Sequence, residues 1–187
     1  MRRADYTVID VSDPTHPRIT GSLTNGFLRN PRCIAIQFRY GFITDDDGLK
    51  IVDLTEPIRP IPLPHATVRL RNAGRLYAAR TYAYVANGPE GLAIIDVENP
   101  ERPLIEQMFN AGGALNDTRA VQIGSVNASQ FTLVADGKNG LRVVQLNLTR
   151  HCSGRPRVQP ATESEIDRDV SHVISSPESD RTRRHRL

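Results

Sequence analysis

The stretch that decides the fold is GLAIIDVENPERP, residues 91–103, in which an apolar run ends at an Asp and a turn with two prolines follows. The same phrase occurs as YTVIDVSDPTHP, residues 6–17, and as GLKIVDLTEPIRP, residues 48–60. Three sets of positions recur at one interval of 43 residues: Asp10, Asp53 and Asp96; Pro14, Pro57 and Pro100; Pro17, Pro60 and Pro103. A period of this length is typical of repeat architectures.

A fourth copy, GLRVVQLNLT at residues 140–149, has Gln145 in place of the Asp and lacks the two-proline turn. Terminal repeats are often atypical in this way. Two further apolar segments precede the phrase in each later copy, for example RLYAAR at 75–80 and YAYVANGPEG at 82–91. One unit therefore predicts four short strands joined by tight turns.

Helical repeats of similar length are the alternative, and the local pattern disfavours them. LAIIDV and LKIVDL are short, β-branched and bounded by Gly and Pro, and no long window keeps a period of 3.6 residues. Four strands per 40–45 residues are typical of a propeller blade. We therefore predict an all-β fold, a partial or small β-propeller of about three to four four-stranded antiparallel blades.

The predicted domain covers residues 1–149, and a disordered tail rich in Arg, Ser and Pro covers 150–187. The propeller part is divided into a partial first blade, 6–23, and units at about 27–66, 67–110 and 111–149. Within the tail, residues 155–162 are a candidate for one last edge strand.

The middle strands of a blade lie between two neighbouring blades, so both of their faces should be apolar. Alternation places Leu92 and Ile94 on one face and Ala93, Ile95 and Val97 on the other. We expect the first Pro of each turn to preset φ for the turn and the repeated Asp to accept hydrogen bonds from turn N–H groups. These Asp and Pro positions are predicted to be structural.

The phrase GLAIIDVENPERP, preceded by YAYVANGPEG, closely resembles the LVIVD repeat of bacterial and archaeal cell-surface proteins. The resemblance covers roughly residues 6–148 and implies a β-propeller in an extracellular or cell-surface setting. This sequence begins in the middle of a blade and carries no signal peptide, although the family is typically exported. We expect a fragment of a larger exported protein; closure into a small ring and assembly of two chains are the alternatives.

Composition excludes several classes of function. The formal net charge of +3 is too small to indicate nucleic-acid binding, and no apolar run approaches the length of a membrane span. The two cysteines, Cys33 and Cys152, form no metal or redox motif, and the sequence leaves open a disulfide between them. The five histidines are scattered, and TDDDG at 44–48 lacks the ligand spacing of a calcium loop. We predict no metal, no cofactor and no catalytic residue.

One polar position recurs at intervals of 43 and 44 residues, as Arg32, Arg75 and Arg119, each of which opens a predicted innermost strand. If these side chains converge on the axial channel, they form a ring that attracts anions. The alternative is that each Arg holds a loop by hydrogen bonds to backbone carbonyls.

These observations favour a non-catalytic module over an enzyme. Its function would be protein–protein or surface interaction with an unknown protein partner, and self-association to complete the propeller is possible. The alternative is a propeller enzyme, or a carbohydrate- or anion-binding protein, with its site in the central channel.

Overall fold

The computed structural model describes residues 6–23, 25–126, 129–150 and 156–159. Within these residues the fold is all-β, with three short 3-10 turns at Pro64–Ala66, Ala111–Gly113 and Gly137–Asn139 and no α-helix. The strands are β1 Tyr6–Asp10, β2 Arg18–Leu23, β3 Cys33–Gln37, β4 Tyr40–Asp45, β5 Gly48–Asp53, β6 Ile61–Pro62, β7 Val68–Arg69, β8 Leu76–Ala79, β9 Tyr82–Ala86, β10 Leu92–Asp96, β11 Leu104–Phe109, β12 Ala120–Val126, β13 Ser129–Ala135, β14 Leu141–Arg150 and β15 Pro156–Gln159.

The strands form four antiparallel sheets that follow one another along the chain. The first sheet has two strands, β1 and β2, and the others run β3-β4-β5-β6, β8-β9-β10-β11 and β12-β13-β14-β15. The first strands of consecutive sheets, β3, β8 and β12, are in contact. The predicted β-propeller architecture is confirmed, and each sheet is one blade, the first of which is partial.

The turn after each repeated Asp has the same backbone hydrogen bond in three blades. His16 N–H donates to Asp13 O, Arg59 N–H to Glu56 O and Arg102 N–H to Asn99 O. Each bond closes a four-residue turn whose second residue is Pro14, Pro57 or Pro100, the position where a fixed φ near −65° fits. Pro17, Pro60 and Pro103 come directly before the outermost strands β2, β6 and β11.

Packing between the second and third blades uses alternate residues of the middle strands. Leu49 and Ile51 of β5 share one cluster with Ala93 and Ile95 of β10, and all four are fully buried. The opposite face of β10, with Leu92 and Ile94, packs with Val121 of the fourth blade. The two faces of β10 therefore contact two different blades, as the alternation predicts.

The fourth blade presents the corresponding face to solvent. Leu92 pairs with Ala86 in the third sheet as Leu141 pairs with Ala135 in the fourth. Leu92 is 0% exposed and Leu141 is 69% exposed. Tyr84 and Leu133, which also correspond, are 2% and 38% exposed. The difference arises because a blade covers the third sheet on this side and none of the described residues covers the fourth.

The structure departs from the expected organisation in the second blade. The outermost strand of the second blade is interrupted: β6 pairs with one end of β5, β7 pairs with the other, and a 3-10 turn separates them. In the fourth blade, β14 reaches Arg150 and β15 supplies the outermost strand within residues 155–162, the candidate for one last edge strand. The rest of the predicted tail, 151–155 and 160–187, lies outside the described residues.

The substitution Leu92→Ala should lower the free energy of unfolding by about 2–5 kcal/mol, because it opens a cavity between two blades. Leu141→Ala, at the corresponding exposed place, should change it by about 0.5 kcal/mol or less. Urea denaturation at low protein concentration, followed by circular dichroism, measures both. Equal losses for the two variants would contradict burial by a neighbouring blade.

Candidate functional site

One end of the blade stack collects polar residues that recur in each unit. Because neighbouring strands are antiparallel, the loop before the first strand and the turn between the second and third strands lie at the same end of a blade. We call this end the loop face; it comprises residues 26–32, 45–48, 70–75, 87–91, 116–119 and 136–140. The predicted channel residues Arg32, Arg75 and Arg119 all lie on it, each directly before or next to the start of a first strand.

Arg32 joins the second blade to the third. Its Nη1 donates to the carbonyl oxygen of the buried Ala73 at 2.7 Å, and its Nη2 donates to Asp46 Oδ1 at 2.6 Å. Thr44 adds a parallel contact, since its hydroxyl donates to Gly74 O at 2.6 Å. Arg32 therefore holds a backbone carbonyl in the loop of the next blade.

Arg75 and Arg119 start neighbouring strands side by side, since Arg75 N–H donates to Arg119 O at 3.3 Å. Arg119 Nε contacts Asp117 Oδ1 at 2.8 Å. The exposed guanidinium of Arg75 makes no hydrogen bond or ion pair within the described part of the chain. Carboxylates thus balance Arg32 and Arg119. The backbone pairing aligns these two with Gly74 rather than Arg75, because the N–H groups of Arg32, Gly74 and Arg119 donate to corresponding residues of the second strands. Arg75 lies one residue further along and has no carboxylate partner among the described residues.

Sequence reasoning missed a second repeated polar position on the loop face, at the end of the second strand or just after it. Asp45 Oδ2, Asn87 Oδ1 and Asp136 Oδ1 accept hydrogen bonds from the backbone N–H groups of Arg29, Asn72 and Asp117, at 2.8, 3.0 and 2.8 Å. Asp45, Asn87 and Asp136 are all fully buried. Each side chain fixes the loop that leads into the first strand of its own blade. The signal in the sequence was an Asp or Asn at one place in TDDDG, ANGPEG and ADGKNG.

Lys50 is a buried cation specific to the second blade. Its Nζ lies 2.7 Å from Asp45 Oδ2, from Asp47 Oδ2 and from the carbonyl oxygen of Phe27. Burial alone would lower the pKa of Lys50, but hydrogen bonds to the two carboxylates more than offset it, so this pKa is raised above its usual value. The bond from Lys50 likewise lowers the pKa of Asp47.

The three carboxylates of TDDDG are each used by cations of this chain. Asp45 and Asp47 contact Lys50, Asp47 also contacts Arg29, and Asp46 contacts Arg32. Among the residues that the structure describes, no group of three His, Cys, Asp or Glu side chains is placed to hold a metal ion. Cys33 has a free thiol, and Cys152 lies outside the described residues.

Two segments of the chain match a known repeat family. The family model described as the LVIVD repeat matches residues 2–25 and 71–110. The chain carries LVIVD repeats. No curated protein matches the sequence. The matched residues leave out the second unit, whose outermost strand is interrupted and whose third strand carries Lys50.

In the first three blades the repeated Asp binds its own turn. Asp10 Oδ1 accepts from Ser12 N–H at 2.9 Å, Asp53 Oδ1 from Thr55 N–H at 2.7 Å and Asp96 Oδ1 from Glu98 N–H at 2.9 Å. The hydroxyl of Thr55 also donates to Asp53, at 2.6 Å. These bonds, the hydroxyl first, lower the pKa of Asp53. The Asp side chain thus replaces a backbone acceptor at the corner where the LVIVD strand ends.

The part of the chain that the structure describes contains no helix with the length and apolarity that a bilayer crossing requires.

Replacing Lys50 by Met should destabilise the protein by about 3–5 kcal/mol, because Asp45 is left as a buried charge without its cation. Carbon-detected NMR titration should also show the pKa of Asp47 rising toward its ordinary range. Arg142→Met is the matched control, since Arg142 occupies the corresponding position of the fourth blade and is exposed. A Lys50→Met protein as stable as the control would contradict the triad.

Asp53→Ala should destabilise by about 1 kcal/mol, because the turn N–H loses its acceptor, while Asp53→Asn keeps an acceptor and should cost less. Because the pKa of Asp53 is lowered in the folded protein, its contribution to stability decreases as pH falls. The stabilising effect of ionised Asp53 is complete above the unfolded-state pKa of about 3.9 and disappears as pH falls through the lower folded-state pKa. Thermal unfolding of the parent and Asp53→Asn between neutral and acidic pH measures this. If the parent and Asp53→Asn lose the same stability as pH falls, ionised Asp53 does not stabilise the fold.

Proposed function

We propose that this chain is a non-catalytic β-propeller module whose function is to bind another protein. The observation that carries this proposal is the pair of apolar side chains on the free face of the fourth blade, Leu133 and Leu141. Their counterparts Tyr84 and Leu92 are buried by the next blade. Apolar groups at positions that elsewhere form a blade interface support binding of a further sheet there.

The other end of the stack is also apolar. Ile34 and Ile36 of β3 are 45% and 63% exposed, whereas Leu76, which corresponds to Ile34, is 6% exposed. The second blade here faces the partial first blade, whose two described strands correspond to the outer half of a complete blade. Ile9 and Ile19 of that first sheet are exposed as well.

The partner we propose is a second copy of this chain, packed head to tail. The two end faces are different surfaces, so one can cover the other without a two-fold axis, and such a contact closes a ring when the rotation permits. The contact would repeat the packing that already holds the second, third and fourth blades together. Self-association of this kind would extend the propeller beyond the blades that one chain supplies.

Placement in a larger exported protein at a cell surface is a further part of the proposal. Its support is the resemblance to LVIVD repeats, which is a family-level argument. Fractionation of cells that express the native gene, with an antibody raised against this chain, tests it. Signal confined to the cytosolic fraction would rule it out.

Sedimentation velocity over a range of concentrations tests the self-association. We expect the parent to form dimers or larger rings, and Leu141→Asp to remain monomeric with an unchanged melting temperature. Leu104→Asp is the control, because Leu104 is 61% exposed but lies on the outermost strand β11, away from the end faces. A parent that stays monomeric at every concentration, or equal effects of the two variants, would contradict the proposed contact.

Anion or carbohydrate binding at the channel end of the loop face is the second candidate function. The observation that favours it is the uncompensated guanidinium of Arg75 between Arg32 and Arg119. Arg75→Ala should then reduce retention on a sulfated polysaccharide column at low salt, whereas Arg59→Ala, at a turn on the opposite end, should not. Equal retention of Arg75→Ala and the parent would remove this candidate.

A further inference from the structure

We propose that a cleft on the second blade, separate from the channel arginines, binds an oxyanion such as a phosphate group. The cleft has a volume of about 560 Å³. It lies between the loop that precedes β3 and the interrupted outermost strand. Its lining residues are Gly26, Phe27, Arg29, Asp47, Lys50, Pro64, Thr67 and Arg69.

The cleft follows from the break in the outermost strand. In the third blade β11 runs unbroken for six residues beside β10. In the second blade β6 and β7 cover only the two ends of β5, and Lys50 lies between the paired segments. The 3-10 turn at Pro64–Ala66 bridges the gap and leaves one side of it open as the cleft.

Three of the lining side chains are cationic and one is a carboxylate. Both oxygens of Asp47 are occupied, Oδ1 by Arg29 at 3.2 Å and Oδ2 by Lys50 at 2.7 Å. The exposed Arg69 acts on Asp47 only through its charge, and its guanidinium makes no hydrogen bond within the residues that the structure describes. The donors of Arg69, and those of Arg29 that Asp47 does not use, are therefore available to an anion.

The fold does not require these cations. In the third blade the places of Arg29, Lys50 and Arg69 are taken by the neutral residues Asn72, Ala93 and Asn110. That blade forms the same four-stranded sheet without a buried charge. The carboxylates of Asp45 and Asp47 compensate the buried ammonium of Lys50. Through Asp47, Lys50 also fixes the guanidinium of Arg29 beside the cleft.

The chemistry favours an oxyanion over other ligands. Guanidinium groups present parallel donors that match the oxygens of phosphate or carboxylate. Arg29 and Arg69 approach from different chain segments, so a group with three or more oxygens can contact both. The ammonium of Lys50 lies 5.3 Å from the centroid of the Phe27 ring at the same cleft.

Heteronuclear NMR of the full chain, titrated with inorganic phosphate at constant ionic strength, tests this site. We expect saturable amide shifts at Phe27, Thr67 and Arg69, with a dissociation constant on the order of 1 mM. Arg69→Gln should weaken binding by about tenfold or more, since a charge-assisted bond is lost. Arg71→Gln is the matched control, an exposed arginine two residues away that does not line the cleft.

Each other outcome has a defined meaning. Shifts that grow linearly without saturation, or that Arg71→Gln reduces as much as Arg69→Gln, would overturn the proposal in favour of general screening. Acetate that binds as tightly as phosphate would overturn the preference for a group with three or more oxygens. Because Arg75 is unchanged in both variants, a negative result here leaves the channel candidate to its own test.

Discussion

The rest of the structure depends on apolar packing between the faces of successive sheets. A short four-stranded sheet with two apolar faces is not stable in water by itself, because each middle strand exposes alkyl groups on both sides. Stacking removes both faces from water at once. In the third blade, Ala93 and Ile95 are buried on one side of β10 and Leu92 and Ile94 on the other, and every one of them has an exposure of 1% or less. The terminal blades lack one neighbour, so their apolar side chains remain exposed.

Polar contacts on the loop face determine how each blade is aligned with the next. Arg32 and Thr44 donate to carbonyls of the next blade, and the Thr118 hydroxyl donates to Gly88 O and Gly91 O of the preceding one. Within each blade, Asp45, Asn87 or Asp136 fixes the entering loop. Apolar packing is not directional, whereas these hydrogen bonds are, so they determine how one blade sits on the next.

The sequence predicted the fold well because the same strand and turn pattern occurs several times. Strand, Asp and Pro turn keep one spacing, and alternation within LAIID determined which side chains face which neighbour. It did not predict the broken outermost strand of the second blade, although Pro62 and Pro64 lie in this segment and proline cannot donate to a sheet ladder. The last edge strand was among the candidates, since β15 lies within residues 155–162.

The candidate site was less predictable. The sequence predicted Arg32, Arg75 and Arg119 as one repeated position, but the backbone pairing aligns Arg32 and Arg119 with Gly74. The partners Asp46, Ala73 and Asp117 come from loops whose approach depends on the packed blades. The same is true of Lys50. Beside GLAIID, the phrase GLKIVD reads as an ordinary strand with one polar residue, and only the positions of Asp45, Asp47 and Arg69 show that it lies at a cleft.

The central claim is that the repeat folds into separate sheets stacked face to face. Methyl NOESY spectra of the full chain test it most directly. We expect cross-peaks from Leu49 and Ile51 to Ala93 and Ile95, which lie in one cluster across the blade interface, and none from Leu49 and Ile51 to Leu92 and Ile94. Cross-peaks from Leu49 and Ile51 to Leu92 and Ile94 instead, as in one continuous sheet that places equivalent residues on a shared face, would contradict it.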